Sequence, residues 1–192
     1  MLLTLVLAAS LSIPVASPSG DPITWKIDVT HSEMTFRVRH FVTKVPGTFK
    51  TWSGAIIADP ANLSGGSVEI AVETASVDTR NERRDADLRS GNFFLVDSFP
   101  SMTFKSTKVA AKGSALTVTG DLTIRGVTKS VELVGEYLGV AGPAERQRIG
   151  FAASTKLNRL DFGLKWNRLV EGVNMLGDDV EITINIEAVR QP

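Results

Sequence analysis

The chain is 192 residues long, 43% hydrophobic and 22% charged, a size and balance that suit one globular domain with a substantial core. Its 21 basic and 21 acidic side chains cancel, so overall charge gives no ground for nucleic-acid binding or for a general attraction to anionic membranes. Cysteine is absent, which excludes disulfides, thiolate metal sites and a cysteine nucleophile.

Met1 to Gly20 carries no charged residue, and an apolar run from Leu2 to Ala9 is followed by small residues around Ala16 to Gly20. That is the pattern of a secretory signal peptide, though no basic residue precedes the run. The run falls short of the roughly 20 residues needed to span a bilayer. Residues 1–20 are therefore expected to direct export, and residues 21–192 to form one domain.

Thr24 to Asp28 reads as a first short strand and Val29 to Ser32 as a turn. Met34, Phe36, Val38 and His40 then alternate with Thr35, Arg37 and Arg39, apolar on one face and basic on the other. Pro46-Gly47 is expected to break this run, with a new strand from Thr48 to Ala58. Phe49 and Ile57 fall on one face of that strand and Trp52 and Ile56 on the other, so its buried side is ambiguous. Val68, Ile70 and Val72 alternate with Glu69 and Glu73 in the next strand.

The rhythm stops at Asp78 to Phe94, where a charged block runs into two aromatics. Thr79 and Glu82 have capping-box spacing and Gly91 stands where a helix would end, so a short helix is predicted over residues 80–90. Ala86 and Leu88 are its only apolar residues, too few for a core helix. It is expected to lie over an opening or an edge, with Phe93 and Phe94 turned inward. The alternative is a solvated surface helix with local ion pairs.

Alternation resumes at Met102 and Phe104, again from Leu116 to Ile124, and at Val131 and Leu133. After a loop over Gly139 to Arg146 it continues through Ile149, Phe151, Ala153 and Leu157. Asn158 to Gly177 is irregular, and Val180 to Ile186 forms the last strand. The fold class is all-β and antiparallel. Periodicity leaves a two-sheet sandwich and a closed barrel both open, and the apolar stripes would look the same in a solid core.

Asp28, His31 and Ser32 contain the pieces of a nucleophile or acid–base arrangement, but a triad is recognised by geometry and not by sequence proximity. The simpler reading is a turn whose side chains cap backbone groups. His31 and His40 are the only histidines, and no carboxylate cluster has ligand spacing, so no metal site is expected. Gly65-Gly66 precedes a strand and not a helix, unlike a phosphate-binding loop.

From residue 24 to 190 the chain resembles the YceI-like family of bacterial, mostly periplasmic proteins. The resemblance is carried by Trp25-Lys26-Ile27-Asp28, His31-Ser32, Gly47-Thr48-Phe49, Arg84-Asp85, Leu88-Arg89-Ser90, Phe93-Phe94 and Pro100 to Phe104. It continues through Gly120 to Thr128 and Arg159-Leu160-Asp161-Phe162-Gly163. Asp87 stands where relatives often carry histidine, and Asn92 where an aspartate is common.

The resemblance implies a lipocalin-like antiparallel barrel of about eight strands, capped by the short helix, that holds one long isoprenoid or similar amphiphilic lipid. The lining it implies comprises Met34, Phe36, Val38, Phe49, Val68, Ile70, Val72, Met102, Phe104, Leu122, Ile124, Phe151, Phe162 and Ile182, with Leu88, Phe93, Phe94 and Phe99 in the lid. Head-group contacts would come from Arg84, Asp87 and Arg89. The expectation is a periplasmic carrier, with no catalytic residue, cofactor, metal or nucleic-acid partner. Transient contact with a membrane or membrane protein and a homodimer are further expectations. An enzyme acting on a lipid or quinone through His31 and Asp28 is the alternative.

Overall fold

Residues 22–192 are described by a computed structural model; the expected signal peptide, residues 1–20, lies outside them. Where the sequence alternates, the backbone is extended. Strands β1 (Ile23–Ile27), β2 (Glu33–His40), β3 (Thr43–Phe49), β4 (Trp52–Asp59), β5 (Asn62–Glu73) and β6 (Val77–Asp78) precede helix α1 (Glu82–Arg89). Strands β7 (Ser101–Lys112), β8 (Ala115–Ile124), β9 (Val127–Ala141) and β10 (Arg148–Asn158) follow it. A small hairpin, β11 (Leu169–Val170) and β12 (Val173–Asn174), leads into the long β13 (Leu176–Arg190).

The early strands are broken halves of longer paths. Along β13, Ile27 of β1 faces Ala188 and Glu33 of β2 faces Asn185, so β1 and β2 form one interrupted strand. Strands β3 and β4 run together beside them, and β5 and β6 beside those. Strands β7 to β10 continue the meander, and β13 pairs with β10 on one side and with β1 and β2 on the other. Eight antiparallel paths thus close into a barrel, with a local gap in the ladder beside β3.

The breaks explain two differences from the sequence reading. Thr48 to Ala58 is not one strand: the chain breaks at Lys50-Thr51, where Lys50 N–H donates to Ser76 O and Glu73 N–H donates to Thr51 O. This shift lets Phe49 and Trp52 both face inward while Ile57 stays 45% exposed, which resolves the ambiguous faces. Nor do Pro46 and Gly47 end a strand; both lie inside β3. Beyond Thr48 and Phe49, β3 has no ladder partner on its β6 side, and an edge position tolerates proline. The turn instead falls at Phe41-Val42, between paired His40 and Thr43.

The two ends of the barrel differ. Trp25, Ile149 and Ala188 are fully buried at the end where β1 begins, packed with Ala58, Leu63 and Leu116, and the Trp25 indole donates to Ala58 O at 3.2 Å. That end is solid. The other end, where β2 finishes and β13 starts, carries α1.

Candidate functional site

The apolar stripe of the wall does not fill the barrel. A cavity of about 670 Å³ opens at the α1 end, a volume typical of small-molecule sites. Two close approaches keep it open. Phe36 lies over Gly47 on the neighbouring strand, where a β-carbon would come within 2.2 Å of the ring. Phe104 lies over Gly120 in the same way, at 2.5 Å. Each ring rests against the wall in space that any larger residue would occupy, instead of projecting across the barrel.

Of the residues expected to line a lipid site, Met34, Phe36, Val38, Phe49, Ile70 and Val72 border this cavity. So do Met102, Phe104, Leu122, Ile124, Phe162 and Ile182. Val68 and Phe151 instead border a smaller space of about 90 Å³ deeper in the barrel, which shares Ile70, Leu133 and Ile184 with the main cavity. Phe99 borders neither; its ring packs on Gly126 at the β8–β9 turn. It is a correction to the expected lid set.

Helix α1 lies across the mouth, and Leu88, Phe93 and Phe94 reach the cavity from it and from the turn that follows. It begins two residues later than expected. Asn81, not Thr79, caps it, its side-chain oxygen accepting Arg84 N–H at 3.0 Å. Thr79 donates through its N–H and hydroxyl to buried Asp85, at 2.9 and 2.5 Å. The helix ends at Arg89 with Ser90, not Gly91, as its C-terminal cap.

Aromatic contacts pin the lid from two sides. Phe94 meets Phe49 edge-on at 5.7 Å and Phe49 meets Phe36 at 5.6 Å, joining lid to wall. Phe93 packs on Trp166 at 5.3 Å, and Arg125 donates to Phe93 O at 2.9 Å. Each ring pair adds about 0.5–1.5 kcal/mol beyond area burial.

The expected head-group residues divide. Arg84 borders the cavity, but its guanidinium donates to the Thr79 hydroxyl and carbonyl, both at 2.7 Å. Asp87 borders it and accepts from Asn92 at 2.8 Å, so the paired departures from the family pattern bond to each other. Arg89 does not border it. Its guanidinium donates to Ala75 O and Val77 O, fastening the helix to the barrel, and its assignment to a head group is a correction.

Sequence reading missed Arg83, Arg168, His40 and Trp166, all of which line the mouth. His40 continues the inward set of β2, a usable signal. Arg168 and Trp166 lie in the irregular stretch, where periodicity says nothing. That stretch is organised by Arg159, which is 3% exposed. It donates to Gly177 O at 2.9 Å, Trp166 O at 2.9 Å, Leu164 O and Asp178 at 3.0 Å. Burial pushes the guanidinium below its ordinary pKa while Asp178 opposes the shift.

Asp28, His31 and Ser32 lie on the outer surface, away from the cavity. Asp28 accepts from Thr30 N–H at 3.1 Å and pairs with His31 Nδ1 at 2.9 Å. Ser32 donates to Glu187 O and accepts Glu187 N–H, so its hydroxyl ties the β1–β2 break to β13. Glu187 joins Asp28 and His31 in a potential ligand cluster, but Arg148 donates to both carboxylates and supplies the balancing charge. The His31 bond, then Arg148, hold the Asp28 carboxyl down to about 2. The three residues form a structural clasp.

Comparison with known proteins agrees with this geometry. The model of the YceI-like domain matches residues 25–188. A UPF0312 protein of Vibrio cholerae is 35% identical over 195 aligned residues, covering 99% of this chain and 98% of the relative. One from Pseudomonas paraeruginosa is 36% identical, covering 87% of each. Among solved structures, a Campylobacter jejuni YceI protein superposes with TM-score 0.72 at 33% identity, covering 79% of this chain and 88% of that one. Burkholderia cenocepacia BcnA gives TM-score 0.73 at 24% identity, over 84% and 99% of the two chains. A Saccharophagus degradans domain described as polyisoprenoid-binding gives 0.66 at 15%, over 88% and 99%, a likeness of fold. With most of its length matched by the family model and by relatives of similar size, the chain belongs to the YceI-like family.

Proposed function

We propose that this protein is a periplasmic carrier that holds one long isoprenoid or similar lipid chain inside its barrel. The observation that carries the reading is the cavity of about 670 Å³, walled by inward-facing apolar side chains and closed by an aromatic-pinned lid. The polyisoprenoid-binding description of the Saccharophagus degradans neighbour supports the choice of chain. The apolar lead sequence supports export.

The chain would lie along the wall with its head at the mouth, facing Arg83, Arg168, His40 and Asp87. Binding through apolar contact alone is strong but chemically tolerant. Each isoprene unit contributes on the order of 3–4 kcal/mol gross at ~0.8 kcal/mol per CH₂, offset in part by lost chain freedom. Carriage requires no bond-making, and the Asp28–His31–Ser32 clasp lies outside the cavity.

Solvent extraction and mass spectrometry of protein purified from its native host tests the reading. The expected result is a co-purifying isoprenoid or long-chain amphiphile, with a raised Tm when isoprenoid quinone is added to lipid-stripped protein. Protein that never carries lipid, and whose Tm does not move, would sink it.

A further inference from the structure

The mouth is ringed by apolar side chains that the barrel leaves in solvent. Phe41 is 51% exposed, Val42 80%, Leu169 65% and Val173 48%, and Val170 and Trp166 are exposed beside them. They sit on two loops, the β2–β3 turn and the β11–β12 hairpin with its approach. The loops meet: His40 pairs with Leu176 at the end of the ladder, and Phe41 N–H donates to Met175 O at 2.7 Å.

Phe41 also has φ 55°, at a turn position that ordinarily takes glycine or asparagine. An aromatic ring is therefore held in water by a strained backbone, which the stability of the turn itself does not require. Exposed clusters of this kind mark contact surfaces.

Around the rim, cations without an ion-pair partner stand among acidic groups that are mostly held by other side chains. Arg39, Lys165 and Arg168 are exposed there, and Arg83 on the lid faces the same opening. Among the described residues none of these four forms an ion pair with a carboxylate. Glu181 lies against Lys44 and Arg37, Asp178 pairs with Arg159, Asp87 on the lid accepts from Asn92, and Glu171 stands at the tip of the second loop. A chain of zero net charge thus carries a cationic collar at one end.

We propose that this rim docks the barrel, mouth first, on an anionic phospholipid surface. Aromatic and aliphatic side chains would enter the headgroup boundary while the arginines and lysine meet lipid phosphates. A second copy fits less well, since a two-fold contact through this rim sets the two collars against each other. The usefulness of docking rests on the lipid-carrier reading, because the opening would then face the source of its cargo. Docking itself does not depend on it.

Flotation of the full chain with phosphatidylglycerol–phosphatidylethanolamine vesicles tests the proposal. Wild type should float with these vesicles, and recovery should fall about tenfold with phosphatidylcholine vesicles or high salt. Phe41→Gly removes the anchor and relieves the turn, so it should keep or raise Tm while lowering flotation. Val42→Ser with Leu169→Ser should lower it further. Flotation by a sample that retains no isoprenoid would still support docking, although it would count against the carrier reading. The proposal is overturned if wild type stays unbound, if the variants float equally, or if the substitutions abolish a dimer and leave vesicle binding unchanged.

Discussion

Gly47 shows how one residue decides between a core and a cavity. Its missing side chain gives the Phe36 ring a place against the wall. Gly47→Ala should therefore push that ring into the cavity and lower lipid capacity, with little disturbance of the far, plugged end. Equilibrium binding of an isoprenoid quinone beside thermal melting checks this; unchanged affinity would contradict it. At the outer clasp, Asp28 titrates near 2 because His31, and then Arg148, stabilise its anion. The sign follows from a depressed carboxylate: the stabilisation is complete above the ordinary value of 3.8 and is lost as pH falls through about 2. His31→Ala should raise the Asp28 titration midpoint, read by carboxyl-carbon NMR, and make the fold more acid-sensitive between these limits. Neither contact was legible in sequence. Phe36 over Gly47 depends on cross-strand register, and Arg148 lies 120 residues from Asp28.

At the scale of elements, the lid is the informative case. A charged helix with almost no apolar face is held by what surrounds it: Arg89 on Ala75 O and Val77 O, and Phe93 and Phe94 beneath. Replacing Phe93 and Phe94 with alanine should speed loss of bound lipid more than Arg84→Ala, since Arg84 mainly secures Thr79. Off-rates measured by transfer of a fluorescent isoprenoid to acceptor vesicles would show the difference; equal rates would assign the lid a passive role. The helix and its inward aromatics could be read from the broken alternation alone. Its cap could not, because Thr79 and Asn81 are both good capping residues and only the packing of Asp85 selects between them. The Phe41-Val42 turn was hidden for a different reason: it contains none of the residues that usually mark a turn.

For the whole molecule, strand periodicity gave the all-β class but left sandwich and barrel equal. Closure is a non-local event, made by the last strand returning to β1 and β2, and no window of sequence contains it. The family resemblance supplied the barrel because it covers the complete circuit. The hollow interior follows from an asymmetry spread over the chain: Trp25, Ile149 and Ala188 plug one end, while glycine–phenylalanine pairs hold the other open. An apolar cavity of this form should measure chain length more closely than head-group chemistry.

The most direct test is a competition series with isoprenoid alcohols of increasing length against a fluorescent lipid. Affinity should rise steeply with each added isoprene unit and level off once the cavity is full, and Gly47→Ala should move that plateau to shorter chains. Affinity that is flat with length, or that follows the head group alone, would contradict a chain held inside the barrel.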